Sequence, residues 1–73
     1  MTISQLIFRA RQRVSSDKPA RRYATQTEFA FALGRDVQTV NRLERGKSSP
    51  SDEDLAAIIT LAELPADYFE QAA

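Results

Sequence analysis

Residues 26–46 read QTEFAFALGRDVQTVNRLERG, and two glycines divide this segment into two helix-length pieces. Thr25 precedes the first piece as the start of a capping-box pattern. That piece ends at Gly34, a residue suited to the left-handed position beyond a helix. Only Arg35 separates the glycine from Asp36, which is a strong N-cap residue for the second piece. Two short helices with so few residues between them must cross steeply rather than form a long hairpin.

A helix is also predicted before this pair. Thr2, with Gln5 three residues later, gives a second capping-box pattern, and the apolar residues that follow it recur on one helical face. We expect this first helix to end near Val14, because turn-forming residues and a proline follow. Residues 15–24 then form a basic loop that contains Arg21 and Arg22.

Two more helices are predicted after Gly46, where the third helix (about 37–45) ends. Ser51 caps a fourth helix, and Pro65 fits the first position of a short fifth helix. Since no strand pattern is present, we predict an all-α fold with one domain of five helices over residues 1–73. Its expected core residues are Ile3, Leu6, Ile7, Ala10, Val14, Phe29, Ala30, Leu33, Val40, Leu43, Leu55, Ile58, Ile59 and Ala62.

The composition excludes several classes of function. The sequence has neither Cys nor His, which removes thiolate zinc sites, Cys nucleophiles and the commonest general base. No paired acids and no glycine-rich phosphate loop are visible. We therefore expect no enzyme activity, no catalytic residues, no metal and no cofactor. No apolar run approaches the roughly 18 residues of a membrane span, and the N-terminus lacks a signal-peptide pattern, so we expect a cytoplasmic protein.

The charges are unevenly distributed, although the formal net charge is zero. All ten basic residues lie within residues 9–47, together with four acidic residues, whereas residues 48–73 contain six acidic residues and no basic one. Such an asymmetry indicates nucleic-acid contact by the basic half. The alternative is two surfaces that differ only in how they are solvated.

The segment 26–46 closely resembles the helix-turn-helix of the lambda-repressor/Cro-like family, also called the XRE family. Residues 50–69 look like the fourth and fifth helices of that family, so the resemblance covers about residues 24–70. It departs at Arg35, where the family usually has a small aliphatic residue, and at Asp36, where Ser or Thr is common. The features that match are Gln26, Phe29-Ala30, Leu33-Gly34, Val40, and Glu44 two residues before Gly46.

The resemblance implies binding to double-stranded DNA, with the third helix in the major groove. Gln38 has a carboxamide that suits adenine N6 and N7, and Arg42 on the same face suits guanine O6 and N7; a solvated surface charge is the alternative for Arg42. Val37 suits either the core or a thymine methyl group, and Arg35 either pairs with Asp36 or reaches a phosphate. The residues predicted to contact DNA are Gln26, Thr27, Arg35, Val37, Gln38, Thr39, Asn41, Arg42, Arg45, Lys47 and Ser48.

Two further residues receive specific expectations. Glu44 lies beside the core, and the family resemblance implies an internal ion pair between it and Arg11 of the first helix. Phe31 falls on the face away from the core. It is either covered by the loop 15–24 or in contact with another chain.

These observations predict a sequence-specific transcriptional regulator, a repressor that occupies an operator and blocks polymerase. One recognition helix reads few base pairs, so we expect a weak homodimer that forms on DNA. Its contact is expected at an exposed apolar cluster of Leu64, Tyr68 and Phe69, or at Phe31. The alternative is a protein-interaction module, such as the antitoxin component of a toxin–antitoxin pair, with the partner held by the acidic C-terminal half.

Overall fold

The computed structural model describes residues 1–15 and 23–72. In that part of the chain every regular element is helical, and no strand occurs. The all-α prediction is therefore confirmed. The elements are α1 (Ile3–Arg11), α2 (Gln26–Leu33), α3 (Val37–Arg45), α4 (Asp52–Leu61) and a final 3-10 turn (Tyr68–Gln71).

The helix starts follow from capping chemistry. Thr2, Thr25 and Ser51 each accept a hydrogen bond from the backbone N–H three residues on, and each belongs to a complete capping box. Asp36 caps α3 in the same way through its carboxylate. Gly34 ends α2 with φ of +72°, in the left-handed region that glycine adopts without strain. The short turn between α2 and α3 is thus specified residue by residue in the sequence.

The predicted end of α1 near Val14 is wrong by three residues. The helix ends at Arg11. The Gln12 N–H still bonds to Phe8, four residues back, but the N–H groups of Arg13 and Val14 bond to carbonyls only three residues back, at 3.0 and 3.1 Å. Val14 still packs against the core, and its carbonyl accepts from the Ala24 N–H at 2.8 Å. This bond brings the two ends of the predicted basic loop together. Residues 16–22 of that loop, with Arg21 and Arg22, lie outside the described residues.

The core lies between α1, α2, α3 and α4. α3 packs against both α1 and α2, and α4 packs against the same two helices. This arrangement buries the apolar side of α3 and leaves its opposite side uncovered by any described element. The buried core residues are Leu6, Ile7, Ala10, Ala24, Phe29, Ala30, Val40, Leu43, Ile58, Ala62, Leu64, Tyr68 and Phe69.

The C-terminal segment corrects two predictions. The fifth α-helix after Pro65 is wrong, because the N–H groups there bond only three residues back, as Tyr68 does to Pro65 at 3.0 Å. The exposed apolar cluster predicted as a dimer contact is also wrong, since Leu64, Tyr68 and Phe69 are all buried. The Tyr68 hydroxyl donates to the carbonyl of Leu6 in α1 at 3.1 Å. The segment therefore closes the core of its own chain.

Candidate nucleic-acid interface

The first turn of α3 is held by Asp36. Its Oδ1 accepts from the Thr39 N–H at 2.7 Å. This hydrogen bond is the main reason why the pKa of Asp36 lies below its usual value, and the nearby positive charge of Arg42 lowers the pKa further. The cap directs the next two side chains outward. Val37 is 41% exposed and Gln38 is also exposed, so the structure places Val37 at the exposed tip of the helix rather than in the core.

Five predicted contact residues share one surface. Gln26, at the start of α2, lines an open depression of about 430 Å³ together with four residues of α3. We call this set the recognition surface: Gln26, Val37, Gln38, Asn41 and Arg42. A neighbouring depression continues from Gln26 and Val37 to Thr27 and Tyr23. Thr39 is half-buried behind the cap and lies outside the recognition surface.

An ion pair lies directly beneath the recognition surface, and it confirms the predicted link between Arg11 and Glu44. Arg11 Nε donates to Glu44 Oε2 at 2.8 Å, and Arg11 Nη2 donates to Glu44 Oε1 at 3.1 Å. The side chains are 10% and 6% exposed respectively. This two-bond geometry matches the planar guanidinium to the carboxylate. It joins α1 to α3.

The remaining groups of Arg11 are also engaged. Its Nη1 donates to the Ala24 carbonyl at 2.9 Å, and its guanidinium lies 5.2 Å from the centre of the Phe8 ring and 5.7 Å from that of Tyr23. Contacts of this kind with aromatic faces favour a cation. Within the described residues no buried side-chain N or O atom lacks a partner. The buried polar atoms of Arg11 therefore all have partners inside the fold.

Gln26 connects this ion pair to the outer part of α3. Its Nε2 donates to Glu44 Oε1 at 3.3 Å, and its Oε1 accepts from Asn41 Nδ2 at 3.3 Å. Both ends of the carboxamide are thus bonded within the protein. The family resemblance predicted that Gln26 contacts DNA, but no pattern in the sequence predicted these two internal hydrogen bonds.

Arg35 pairs with α4 rather than with Asp36. Its Nη2 lies 2.7 Å from Asp54 Oδ1, and the Arg35 side chain is 45% exposed. Burial raises the pKa of Asp54, but hydrogen bonds from Ser51 and the contact with Arg35 outweigh it, so the pKa is lowered overall. Of the two expectations for Arg35, pairing with Asp36 is therefore replaced by this interhelical contact.

The other predicted contacts follow α3. Arg45, Lys47 and Ser48 are exposed at and beyond its C-terminus. Ser48 borders a depression that also includes Thr2 and Ser4, at the start of α1. Sequence reasoning did not include these two residues, because their capping pattern predicts a helix start but gives no information on what lies beside it.

Phe31 is the most exposed large apolar residue of the described chain. Its exposure is 87%, so none of residues 1–15 and 23–72 covers it. Cover by the loop 15–24 was one of the two alternatives for Phe31, and residues 16–22 of that loop lie outside the described residues.

Comparison with known proteins identifies the family. The helix-turn-helix family profile matches residues 24–69, which is more than half of the chain, so the chain belongs to the lambda-repressor-like, or XRE, helix-turn-helix family. This family consists of DNA-binding regulatory domains that are typically non-enzymatic. Comparison with curated proteins and with solved structures gives no match. In residues 1–15 and 23–72 no helix has the length and apolar character needed to cross a membrane.

Proposed function

We propose that this chain is a sequence-specific regulator of transcription that binds double-stranded DNA and acts as a repressor. The observation that carries the proposal is the recognition surface, where side chains from the starts of α2 and α3 meet on one exposed side. A B-DNA major groove is wide enough to admit one α-helix. α3 would enter it with Gln38 and Arg42 toward base edges, and the bound protein would block polymerase sterically.

The chemistry of the exposed residues supports a division of tasks. The Gln38 and Arg42 side chains make no hydrogen bond to any described residue and have donors available, Gln38 for adenine and Arg42 for guanine. Arg45, Lys47 and Ser48, on the chain leaving α3, suit phosphate oxygens. Further candidates for contacts to the DNA sugar-phosphate backbone are Thr27, Thr39 and the N–H groups of Arg35 that do not bond to Asp54. Contacts to phosphates position a protein, whereas contacts to bases select the sequence.

We further propose that two copies act together on DNA. A single α3 reads only a few base pairs, and two-fold related half-sites about 34–36 Å apart would supply the missing information. Of the two contacts predicted from sequence, only Phe31 is exposed. Sedimentation of the protein alone and with its selected DNA measures this directly, and a one-to-one complex on a non-palindromic site would refute it.

The proposed function is tested by selecting bound duplexes from a random pool and measuring their affinity at several salt concentrations. We expect Arg42→Ala to weaken the selected site by about 1–3 kcal/mol and to remove the preference at one base pair. Lys47→Ala should weaken all duplexes alike and reduce the salt slope by about 1. Arg9→Ala is the matched control, because Arg9 lies away from the recognition surface, beside Pro65 and Tyr68.

A negative outcome has a defined meaning. If the folded protein binds selected and random duplexes equally, the proposal of a sequence-specific regulator is wrong. The protein-interaction module would then be the better hypothesis, and the exposed ring of Phe31 is the observation that favours it.

A further inference from the structure

Three polar groups form a continuous chain from the interior to the recognition surface. It begins at the Glu44 carboxylate, which is held by Arg11, passes through the Gln26 carboxamide and ends at the Asn41 carboxamide. Its two outer bonds are both 3.3 Å long. Because Glu44 is buried and Asn41 lines the recognition surface, this series of hydrogen bonds connects the core to the side proposed to face DNA.

The Glu44 carboxylate fixes the donor–acceptor order along this series of hydrogen bonds. A carboxylate has only acceptors, whereas an amide has a donor end and an acceptor end. Gln26 must therefore turn its NH2 group toward Glu44, which directs its carbonyl oxygen toward α3. A carbonyl oxygen can only accept, so Asn41 must in turn present its NH2 group to Gln26. The Oδ1 atom of Asn41 is then left on the opposite edge of the amide.

We propose that Glu44, acting through Gln26, sets the hydrogen-bond polarity of Asn41, and that Asn41 thereby selects a base that carries an exocyclic amino group. An outward amide oxygen needs a donor, and in the major groove only adenine N6 and cytosine N4 provide one. Guanine O6 and thymine O4 are acceptors and would face the oxygen unfavourably. This inference rests on the proposed function, and it makes Gln26 a positioning residue rather than a reader of bases.

The alternative orientation shows why the buried carboxylate matters. An asparagine with no fixed neighbour can rotate its amide and present either an oxygen or an NH2 group to the groove. Such a residue accepts amino bases and keto bases equally well. With Gln26 bonded to Glu44, the rotated Asn41 would place its oxygen against the oxygen of Gln26, which leaves both without a donor.

The first experiment needs no DNA. Exchange with water is measured by NMR for the side-chain NH2 protons of the ¹⁵N-labelled protein, with the exposed amide of Gln38 as the internal reference. We expect severalfold slower exchange at Gln26 and Asn41 than at Gln38, because one proton of each is hydrogen-bonded. Equal rates at the three amides would overturn the chain of bonds, whether or not the protein binds DNA.

The second experiment measures base preference. Dissociation constants are determined on duplexes carrying each of the four bases at every position of the selected site. At one position the parent protein should bind adenine or cytosine on one strand roughly tenfold more tightly than guanine or thymine, the size typical of a base-edge contact. Asn41→Ala should abolish that preference. Gln26→Leu should reduce it severalfold, while the melting temperature confirms that the variant is folded.

Gln12→Leu is the matched control for Gln26→Leu, since it makes the same change at an exposed glutamine that lies beside Pro65 and Tyr68, away from the recognition surface. It should leave the ratio between amino and keto bases unchanged. A preference for guanine or thymine at the position that depends on Asn41 would overturn the inference, as would an unchanged ratio in folded Gln26→Leu. A folded parent with slow amide exchange but no sequence-specific binding would instead refute the proposed function, and the proposed base selection with it.

Discussion

Replacing Glu44 with alanine removes one partner of the buried ion pair and leaves the other in place. Arg11 would lose both of its bonds to the carboxylate, at 2.8 and 3.1 Å, and Gln26 would lose the acceptor of its NH2 group. Breaking a buried pair on one side costs about 3–5 kcal/mol. Arg11 keeps the Ala24 carbonyl and two aromatic faces, so we expect the lower end of this range, about 3 kcal/mol.

The effect is large for a chain of 73 residues. In domains of this size, 1 kcal/mol corresponds to about 4–8 °C in melting temperature, so Glu44→Ala should melt about 12–24 °C below the parent. Thermal and urea unfolding followed by circular dichroism measure it. Glu70→Ala is the control, because Glu70 is an exposed carboxylate in the 3-10 turn, and it should melt close to the parent.

A second variant separates the ion pair from simple packing. Arg11→Met combined with Glu44→Leu removes both charges at similar volume, and such replacements are often neutral. We therefore expect the double variant to be more stable than Glu44→Ala, although it leaves the Ala24 carbonyl without its donor. The reasoning is refuted if Glu44→Ala melts within a few degrees of the parent, or if the double variant is the less stable of the two.

Three further predictions concern residues at helix termini and in the C-terminal segment. Glu63 has φ of +54° just after α4, so Glu63→Gly should raise stability by about 0.5–1 kcal/mol in urea unfolding, whereas Glu63→Ala should give no gain. Tyr68→Phe removes the buried bond to the Leu6 carbonyl and should cost about 0.5–1.5 kcal/mol; Tyr23→Phe is its control, and equal losses in the two variants would contradict the assignment. The pKa values of Asp36 and Asp54 are lowered in the folded protein, so their contribution to stability is present above the unfolded value of about 3.9 and is lost as the pH falls through the lowered pKa values. Melting from pH 7 to pH 2 should show this decline, and Asp54→Asn should lose less on acidification than the parent.

The helix starts were predictable because capping is local. Thr25, Asp36 and Ser51 each satisfy a backbone N–H only three residues away, so a short sequence window contains the whole interaction. The ends of α2 and α3 were also predictable, because Gly34 and Gly46 adopt the left-handed conformation there, whereas α1 ends without such a residue. Val14 continues the apolar pattern of α1 and does pack on the core. By Arg13, however, the backbone hydrogen bonds already reach only three residues back, so Val14 lies outside the α-helix. Periodicity locates the side chain correctly but does not determine the backbone that carries it.

The C-terminal segment was mispredicted for a related reason. Tyr68 and Phe69 follow a proline in a short acidic stretch, and such a stretch gives no information about what the aromatic rings contact. Tyr68 is buried, and its hydroxyl donates to the carbonyl of Leu6, which is 62 residues away in the chain. Likewise, Arg35 meets Asp54 across 19 residues. The residue types limit the possible partners, but only the packing of α4 against α2 brings this particular pair together.

The nine residues of α3 lie in three different environments. The environment of each residue determines whether its role could be predicted from the sequence. Val40 and Leu43 face the core, so their apolar character follows from the fold. Asn41 and Glu44 lie between the core side and the outer side of the helix. Glu44 is bonded to Arg11 and Gln26, and the Asn41 NH2 group donates to Gln26. No pattern in the sequence separates such residues from DNA contacts. Gln38 and Arg42 project outward, and neither side chain is bonded to a described residue. Since the fold does not constrain these two, we expect their replacement to cost little stability and, under the proposed function, to change the preferred DNA sequence. A change at Asn41 or Glu44 should alter both.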